Sequence, residues 1–231
     1  MLTSWDKLPD YMRIPELRPY YEILNKRRFS LFIKRLFDLF AAILLLVLLA
    51  IPMLVIAVWI KADSSGPVLY RQTRVTRDGK RFRIHKFRTM VENAEQLGSA
   101  ITVGNDERIT GAGRILRRTH LDEMPQLIDV ICGDMSFVGT RPEAVKYVEL
   151  YKPEYYATLL LPAGITSEAS IRYKDEDLLL GDVDDVDSVY LEQVLPEKMK
   201  WNLEDIRSFS LLKELSTMLR TVGAVFGKDG E

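Results

Sequence analysis

The chain has 231 residues, 47% of them hydrophobic, with 32 Lys and Arg against 33 Asp and Glu and a net charge of −1. That balance excludes no partner by itself. The single cysteine, Cys132, rules out an intramolecular disulfide and fits a reducing cytoplasm.

Residues 1–25 form a polar and aromatic lead with Pro9, Pro15 and Pro19, which predicts a surface segment. Leu39 to Ile60 then runs 22 residues without a charge. As a straight helix it would reach roughly 33 Å, enough for a bilayer core of about 30 Å. Pro52 lies inside this run, lacks an N–H and collides with the preceding turn, which kinks or breaks the helix. Both flanks are basic: Lys26, Arg27, Arg28, Lys34 and Arg35 before, Lys61, Arg71, Arg74 and Arg77 after. Short loops rich in Lys and Arg stay in the cytoplasm, so both ends belong inside. A helix that enters, bends at Pro52 and leaves by the same face satisfies both facts, with Phe29–Arg35 at the headgroups. An ordinary kinked span is the competing reading. The run lies too far from the start for a cleaved signal peptide, so it stays as an anchor.

The ~170 residues that follow are enough for one domain with its own core. Tyr70 to Arg88 carries eight Lys or Arg and one acid, whereas Glu143 to Arg207 carries fifteen acids and seven bases. A basic segment just after an anchor suits anionic headgroups or a phosphorylated substrate. A solvated hairpin face explains the charge equally well. Val68–Gln72 and Lys80–Arg88 read as strands joined at Asp78-Gly79, a hairpin turn signal. Helices are predicted over Met90–Leu97, Ile109–Thr119, Leu121–Cys132 (Pro125 in its first turn, Gly133 ending it) and Pro142–Tyr156. Gly98–Asp106 reads as a loop, and Ile171–Asp187 as an acidic loop with a short helix. Ile206, Phe209, Leu212, Leu215, Leu219, Val222 and Phe226 recur at helical spacing. That helix suits either the membrane surface or the core.

Three clusters concentrate the chemistry. In Lys86-Phe87-Arg88-Thr89-Met90 two cations flank an aromatic next to a hydroxyl, and could hold a phosphate or simply end a strand in water. In Arg117-Arg118-Thr119-His120-Leu121-Asp122-Glu123-Met124-Pro125-Gln126 two acids open a helix after two arginines. Capping the helix dipole explains them. So does a carboxylate held among cations as a nucleophile toward phosphorus or a ligand for Mg²⁺. Adjacent helical residues do not share a face, so Asp122 and Glu123 point to different tasks. In Gly133-Asp134-Met135-Ser136-Phe137-Val138-Gly139-Thr140-Arg141-Pro142-Glu143 a Gly-bounded turn leads to an arginine fixed by proline, suited to an anion contact or to an ordinary loop.

Together these clusters, with Lys34-Arg35-Leu36-Phe37-Asp38 leading into the apolar run, resemble the monotopic phosphoglycosyl transferases, the bacterial sugar transferase family. The resemblance covers about residues 28–226 and keeps the motifs in family order behind a proline-broken anchor. It implies an α+β, mostly helical fold: a re-entrant membrane helix plus one cytosolic catalytic domain with a small β-hairpin and amphipathic surface helices. The expected segments are 1–28 (surface lead), 29–61 (anchor helix) and 62–231 (catalytic domain). It also implies a monotopic protein of the bacterial inner membrane, its catalytic domain on the cytoplasmic face. Asp122 would attack the sugar-bearing phosphorus of a nucleotide diphosphate sugar, usually a UDP-sugar. UMP would leave, and polyprenyl (undecaprenyl) phosphate would take up the phosphosugar. Glu123 is implied as partner carboxylate, as metal ligand or as base, with Mg²⁺ held by Asp122 and Glu123. Lys86, Arg117 and Arg141 match phosphate-contacting positions, to which charge alone adds Arg88 and Arg118.

The chain departs from the common form at Ile51, at Thr140 and over Leu161–Glu176. The last segment, rich in donors and acceptors, is expected to help shape the sugar pocket through Glu168 and Arg172. Two other classes compete. One is a non-catalytic membrane adaptor of a glycan assembly complex, which the intact Asp122-Glu123 pair disfavours. The other is a metal enzyme without a covalent intermediate, which would need carboxylates in the apolar run, where there are none. Nucleic acid is not an expected partner, because the only basic segment adjoins the anchor. Membrane lipids are expected partners, and a homodimer is left open.

Overall fold

The structure, a computed structural model, describes residues 2–94, 106–173 and 185–226. It opens with three short 3₁₀ turns and helix α1 (Arg18–Lys26). The lead is not a surface segment. Leu2, Leu8, Met12, Leu17, Tyr20, Tyr21 and Leu24 are buried in the largest core cluster, because apolar residues spaced through the lead all turn inward. The prolines set extended and 3₁₀ backbone that lets a chain without a long helix do this.

Helix α2 (Arg28–Leu48) and helix α3 (Ala50–Asp63) meet at Leu49 with a bend of 60°. The break therefore falls three residues before Pro52. The proline is the third residue of α3, and its ring crowds the carbonyl four residues back, that of Leu48. Among the described residues no single helix is long and apolar enough to cross a membrane, whereas this bent pair passes on length and composition. One face of the pair is bare: Phe29, Phe40, Val47, Leu48, Ile51, Leu54, Val55 and Val58 are all exposed.

Strands β1 (Leu69–Val75) and β2 (Arg81–Phe87) pair antiparallel from Leu69↔Phe87 to Val75↔Arg81. The turn sits at the predicted dipeptide, with Asp78 at φ 57° and Gly79 at φ 72°, both left-handed. The predicted helix from Met90 is not formed in its described part: Met90 makes an isolated bridge to Ile109, and Asn93 has φ 62°. Its remainder and most of the following loop lie outside the described residues. Helix α4 (Gly111–Arg118) is capped by Thr110, whose hydroxyl accepts from Gly113 N at 3.0 Å.

The predicted helix Leu121–Cys132 splits. Leu121–Glu123 is a 3₁₀ turn, and helix α5 (Gln126–Cys132) starts after Pro125. Gly133 (φ 84°) ends α5 in the left-handed region, as expected. Next come strand β3 (Met135–Val138), a single turn α6 (Val145–Val148), a 3₁₀ stretch Pro153–Leu160 and strand β4 (Ala163–Thr166). The predicted helix Pro142–Tyr156 is thus only a turn, because Pro153 interrupts it and Tyr147, Val148 and Tyr151 are drawn into the core. β3 and β4 pair in parallel, Met135↔Ala163 to Val138↔Thr166. Helix α7 (Glu168–Arg172) follows. Residues 174–184, the centre of the predicted acidic loop, lie outside the described residues.

The chain resumes in a continuous run: α8 (Val186–Val189), a π turn (Tyr190–Val194) and α9 (Leu195–Arg207). After a break at Ser208–Ser210 comes α10 (Leu211–Phe226). The helical spacing read from Ile206 to Phe226 therefore spans two elements. Ile206 and Phe209 belong to the core, while Leu212, Leu215, Leu219 and Val222 are exposed along α10. The last four form the apolar surface stripe of an amphipathic helix.

Two further clusters tie the bent pair to the rest. Ala42 of α2 packs with Phe82, Ile84, Leu127, Val130, Met135 and Ala163. Ile56 and Ile60 of α3 pack with Phe87 and Leu116. Polar contacts fix the same junction. Arg35 donates to the carbonyls of Val130 (2.6 Å) and Ile131 (3.0 Å), in the last turn of α5. Lys34 reaches Val138 O at 3.0 Å and pairs with Glu214, and buried Asp38 accepts from Ser136 Oγ at 2.7 Å. The Lys34-Arg35-Leu36-Phe37-Asp38 motif thus joins α2 to α5, β3 and α10.

Candidate active site

Three elements converge on the acidic pair. The 3₁₀ turn Leu121–Glu123 carries Asp122 and Glu123, the end of β2 carries Lys86, and the loop after β3 carries Arg141. The turn is set by His120, which holds φ 55°, a left-handed conformation costly for a residue with a side chain and typical of positions the surroundings impose. Arg141 is aimed by the β3–β4 pair. Gly139 N donates to Thr166 O at 3.0 Å and Gly164 N to Thr140 O at 2.8 Å. A Cβ on Gly164 would fall inside the Gly139 backbone, so only glycine permits this approach. The segment Ala163–Thr166, part of the stretch that departs from the family's common form, is therefore a strand that positions an arginine.

Glu123 is the hub. Lys86 Nζ donates to Glu123 Oε1 at 2.8 Å, and Arg141 donates to both oxygens, to Oε2 at 3.1 Å. Burial alone would push the Glu123 carboxyl up, but Arg141 and Lys86 outweigh it and hold it well below the usual carboxylate range. In turn Glu123 keeps Arg141 firmly protonated. A carboxylate so held is a poor proton acceptor, which disfavours Glu123 as a base.

Asp122 is buried, Glu123 slightly less so, and the two are used differently. Among the described residues its carboxylate is tied into no hydrogen bond or ion pair, and its neighbours act on it only through space. Burial raises its pKa, Lys86 opposes this, Glu123 adds to it, and Arg141 and Arg117 oppose it. The outcome is a carboxylate more basic than usual, surrounded by cations but bonded to none of them. Such a carboxylate is chemically able to attack an anionic electrophile. The two acids, adjacent in sequence, divide into a free group and a fixed one.

The remaining predicted residues are placed less centrally. Arg88 is buried, and its guanidinium donates to Ser65 O, to Ser64 O (2.8 Å) and to Ser64 Oγ (2.9 Å), just past the C-terminal end of α3. Charge alone does not separate the two settings, since the carbonyls beside a helix end take up an arginine as well as a phosphate does. Arg118 is exposed on α4, while Arg117 is half-buried and acts on Asp122. Glu168 is buried and doubly paired, with Arg172 (2.7 Å) and Arg220 (2.5 Å). Arg172 also lies over the Trp201 ring, 3.8 Å from its centroid. Both residues join α7 to α9 and α10 and leave no free carboxylate for a sugar.

Two residues escaped the sequence reading. Asp129 accepts from His85 N at 2.9 Å and faces His85 Nδ1 at 2.6 Å, bracing the edge of β2 just before Lys86. The one signal was an acid inside the otherwise apolar stretch Leu127–Cys132. Among the described residues no three His, Cys, Asp or Glu side chains gather into a metal set. The oxygens of Glu123 are already occupied by cations, so Asp122 is the carboxylate of the pair with room for Mg²⁺. An ion held by one carboxylate plus substrate phosphates is an ordinary Mg²⁺ arrangement, so the site fits that ion.

The family model described as bacterial sugar transferase matches residues 29–228. The chain is 37% identical over 199 residues to a UDP-glucose:undecaprenyl-phosphate glucose-1-phosphate transferase of Caulobacter vibrioides, covering 85% of this chain and 70% of that protein. It is 33% identical to a UDP-N-acetylgalactosamine-undecaprenyl-phosphate N-acetylgalactosaminephosphotransferase of Aeromonas hydrophila, covering 84% and 44%. It is 32% identical to an undecaprenyl-phosphate galactose phosphotransferase of Salmonella typhimurium, covering 88% and 42%. The chain thus spans less than half the length of the last two.

Proposed function

The chain belongs to the bacterial sugar transferase family, and from that premise we propose that it moves a phosphosugar from a UDP-sugar to undecaprenyl phosphate. The observation that carries this reading is the division of labour in the acidic pair: Asp122 buried and unbonded, Glu123 held by Lys86 and Arg141. An Asp122 carboxylate oxygen attacks the sugar-bearing phosphorus. The bond from that phosphorus to the bridging oxygen breaks, and UMP leaves with the oxygen. The phosphosugar then rests on Asp122 as an acyl phosphate. A phosphate oxygen of the lipid acceptor attacks the same phosphorus, the bond to Asp122 breaks, and the carboxylate is restored as the lipid diphosphosugar departs. Two displacements avoid bringing two anionic substrates together at once.

Lys86, Arg117 and Arg141 orient the diphosphate and offset its charge. Glu123 keeps Lys86 and Arg141 in place and protonated without itself accepting a proton. Mg²⁺, held by Asp122 and the donor's own phosphate oxygens, would supply further charge neutralisation. The three relatives are named for glucose, N-acetylgalactosamine and galactose, so the family framework leaves the sugar open.

The bent pair α2–α3 enters and leaves the cytoplasmic leaflet of the bacterial inner membrane on one side, with the rest of the chain in the cytoplasm. Its 60° bend, its bare apolar face and its basic flanks support this. The test is UMP release by the purified protein in lipid, screened over UDP-sugars with undecaprenyl phosphate present. One or more donors should release UMP and label the lipid. No release from any of them would refute the reading.

A further inference from the structure

Lys86 ends a strand and Arg117 lies on α4, whereas Arg141 is carried by the loop between β3 and α6. A loop aims a side chain only as firmly as the loop itself is held. Its near end is fixed at the β3–β4 pair, where Gly164 N donates to Thr140 O at 2.8 Å. Its far end is fixed to β1, where Val75 N donates to Glu143 O at 3.0 Å. Pro142 restricts φ between the two. The Glu143 side chain supplies a third hold. Its carboxylate accepts from the Tyr190 hydroxyl at 2.6 Å. Lys198 Nζ lies 3.8 Å from the same carboxylate oxygen and donates to the Tyr190 hydroxyl at 3.3 Å. All three side chains are buried. The hydroxyl donates to the carboxylate and accepts from the ammonium, so the cluster has one arrangement that satisfies it. Tyr190 opens the π turn, a rare form that recurs at functional positions, and Lys198 lies on α9. The helical run Val186–Arg207 therefore grips the chain two residues from Arg141, although Tyr190 and Glu143 are 47 residues apart.

Resting on the proposed reaction, in which Arg141 orients the donor's diphosphate, we propose that Tyr190 and Glu143 are positioning residues for Arg141. The Tyr190 hydroxyl, backed by Lys198, holds Glu143, and Glu143 holds the loop that aims the guanidinium. The run Val186–Arg207 thereby sets affinity for the donor's diphosphate without contacting it.

UDP carries that diphosphate whatever the sugar is, so UDP is the probe, its dissociation constant measured by calorimetry on the full chain in lipid nanodiscs with Mg²⁺. Tyr190→Phe keeps the ring that lies 4.7 Å from Tyr147 and removes only the hydroxyl. It should weaken UDP about tenfold. Tyr147→Phe removes the neighbouring hydroxyl, which donates to Asp187 at 2.7 Å, and should leave UDP within about twofold of the parent. In an Arg141→Ala background Tyr190→Phe should change UDP binding by less than about twofold, because the group it acts through is gone. Glu143→Ala and Glu143→Gln make a second comparison that does not depend on the folding of the Tyr190 variant. Both remove the charge, but only Gln still accepts from Tyr190, so Ala should weaken UDP about tenfold and Gln by less than about threefold. Exchange of labelled UMP into the UDP-sugar needs only the donor and Asp122. There Tyr190→Phe should raise the donor KM and leave kcat nearly unchanged. If Tyr190→Phe binds UDP like the parent, or loses the same factor without Arg141, the inference fails while the reaction stands. Equal losses for Glu143→Ala and Glu143→Gln overturn it as well. A parent protein that does not bind UDP removes the proposed reaction, and the inference with it.

Discussion

Glu123→Gln keeps the shape of the side chain and removes the charge that Lys86 and Arg141 share. Taking the central charge from a wholly buried ion-paired group costs about 3–5 kcal/mol, because its partners are left uncompensated. Here the Lys86 and Arg141 side chains keep 24% and 37% of their exposure. Both can turn partly toward water, which lowers the cost to about 2 kcal/mol. For a chain of this size that is a fall in Tm of about 4–8 °C. The pH dependence has a definite sign. Glu123 has a folded pKa held far below its ordinary 4.5, so its contribution is complete above that value and is lost as pH falls further. Gln cannot titrate. The Tm gap between parent and variant should therefore be full at pH 7 and should narrow below pH 4.5. UMP exchange gives a second readout. Glu123 is one of the groups that raise the Asp122 pKa, so its removal should move the acid limb of the exchange rate to lower pH. A variant that melts with the parent at pH 7, or a gap that stays constant down to pH 3, would refute the clamp.

Asp122→Asn should abolish UMP exchange while leaving the fold intact, since the wild-type carboxylate holds no partner in place; a phosphosugar adduct mapped by mass spectrometry to another residue would defeat the nucleophile assignment. Lys26→Cys and Ala62→Cys, each in a Cys132→Ser background, should both react with an impermeant thiol reagent only from the cytoplasmic side, and labelling of residue 26 from the periplasm would establish a true span. Pro52→Leu should straighten the break at Leu49 and shift part of the population toward that span, read by the same labelling. Gly164→Ala forces a methyl group into the Gly139 backbone and should cost about 3 kcal/mol or more, with Arg141 displaced and exchange lost; a variant with parental Tm would contradict the close β3–β4 approach.

The features legible in the sequence are those written in neighbouring residues. A chargeless run with a proline inside it implies an apolar helix that cannot stay straight, and the break duly falls one turn before Pro52. Asp78-Gly79 implies a left-handed turn between two strands, because so few residue types adopt it. The acidic pair after two arginines is likewise a local pattern. What remained was decided between residues far apart in the chain. β3 and β4 are four residues each, too short to show a period, and each exists only because the other lies beside it. The prolines and polar residues of the lead read as surface, yet its leucines and tyrosines meet the helix Leu195–Arg207 and the 3₁₀ stretch Pro153–Leu160 in one core. Charge gave Lys86 and Arg88 the same reading. Folding placed one against Glu123 and the other against the end of α3. An arginine or lysine carries its charge in the sequence, but its partner is whichever acceptor the tertiary structure brings within about 3 Å. For the same reason Asp122 and Glu123, chemically alike and adjacent, take opposite roles only once Lys86 and Arg141 have reached one of them and not the other.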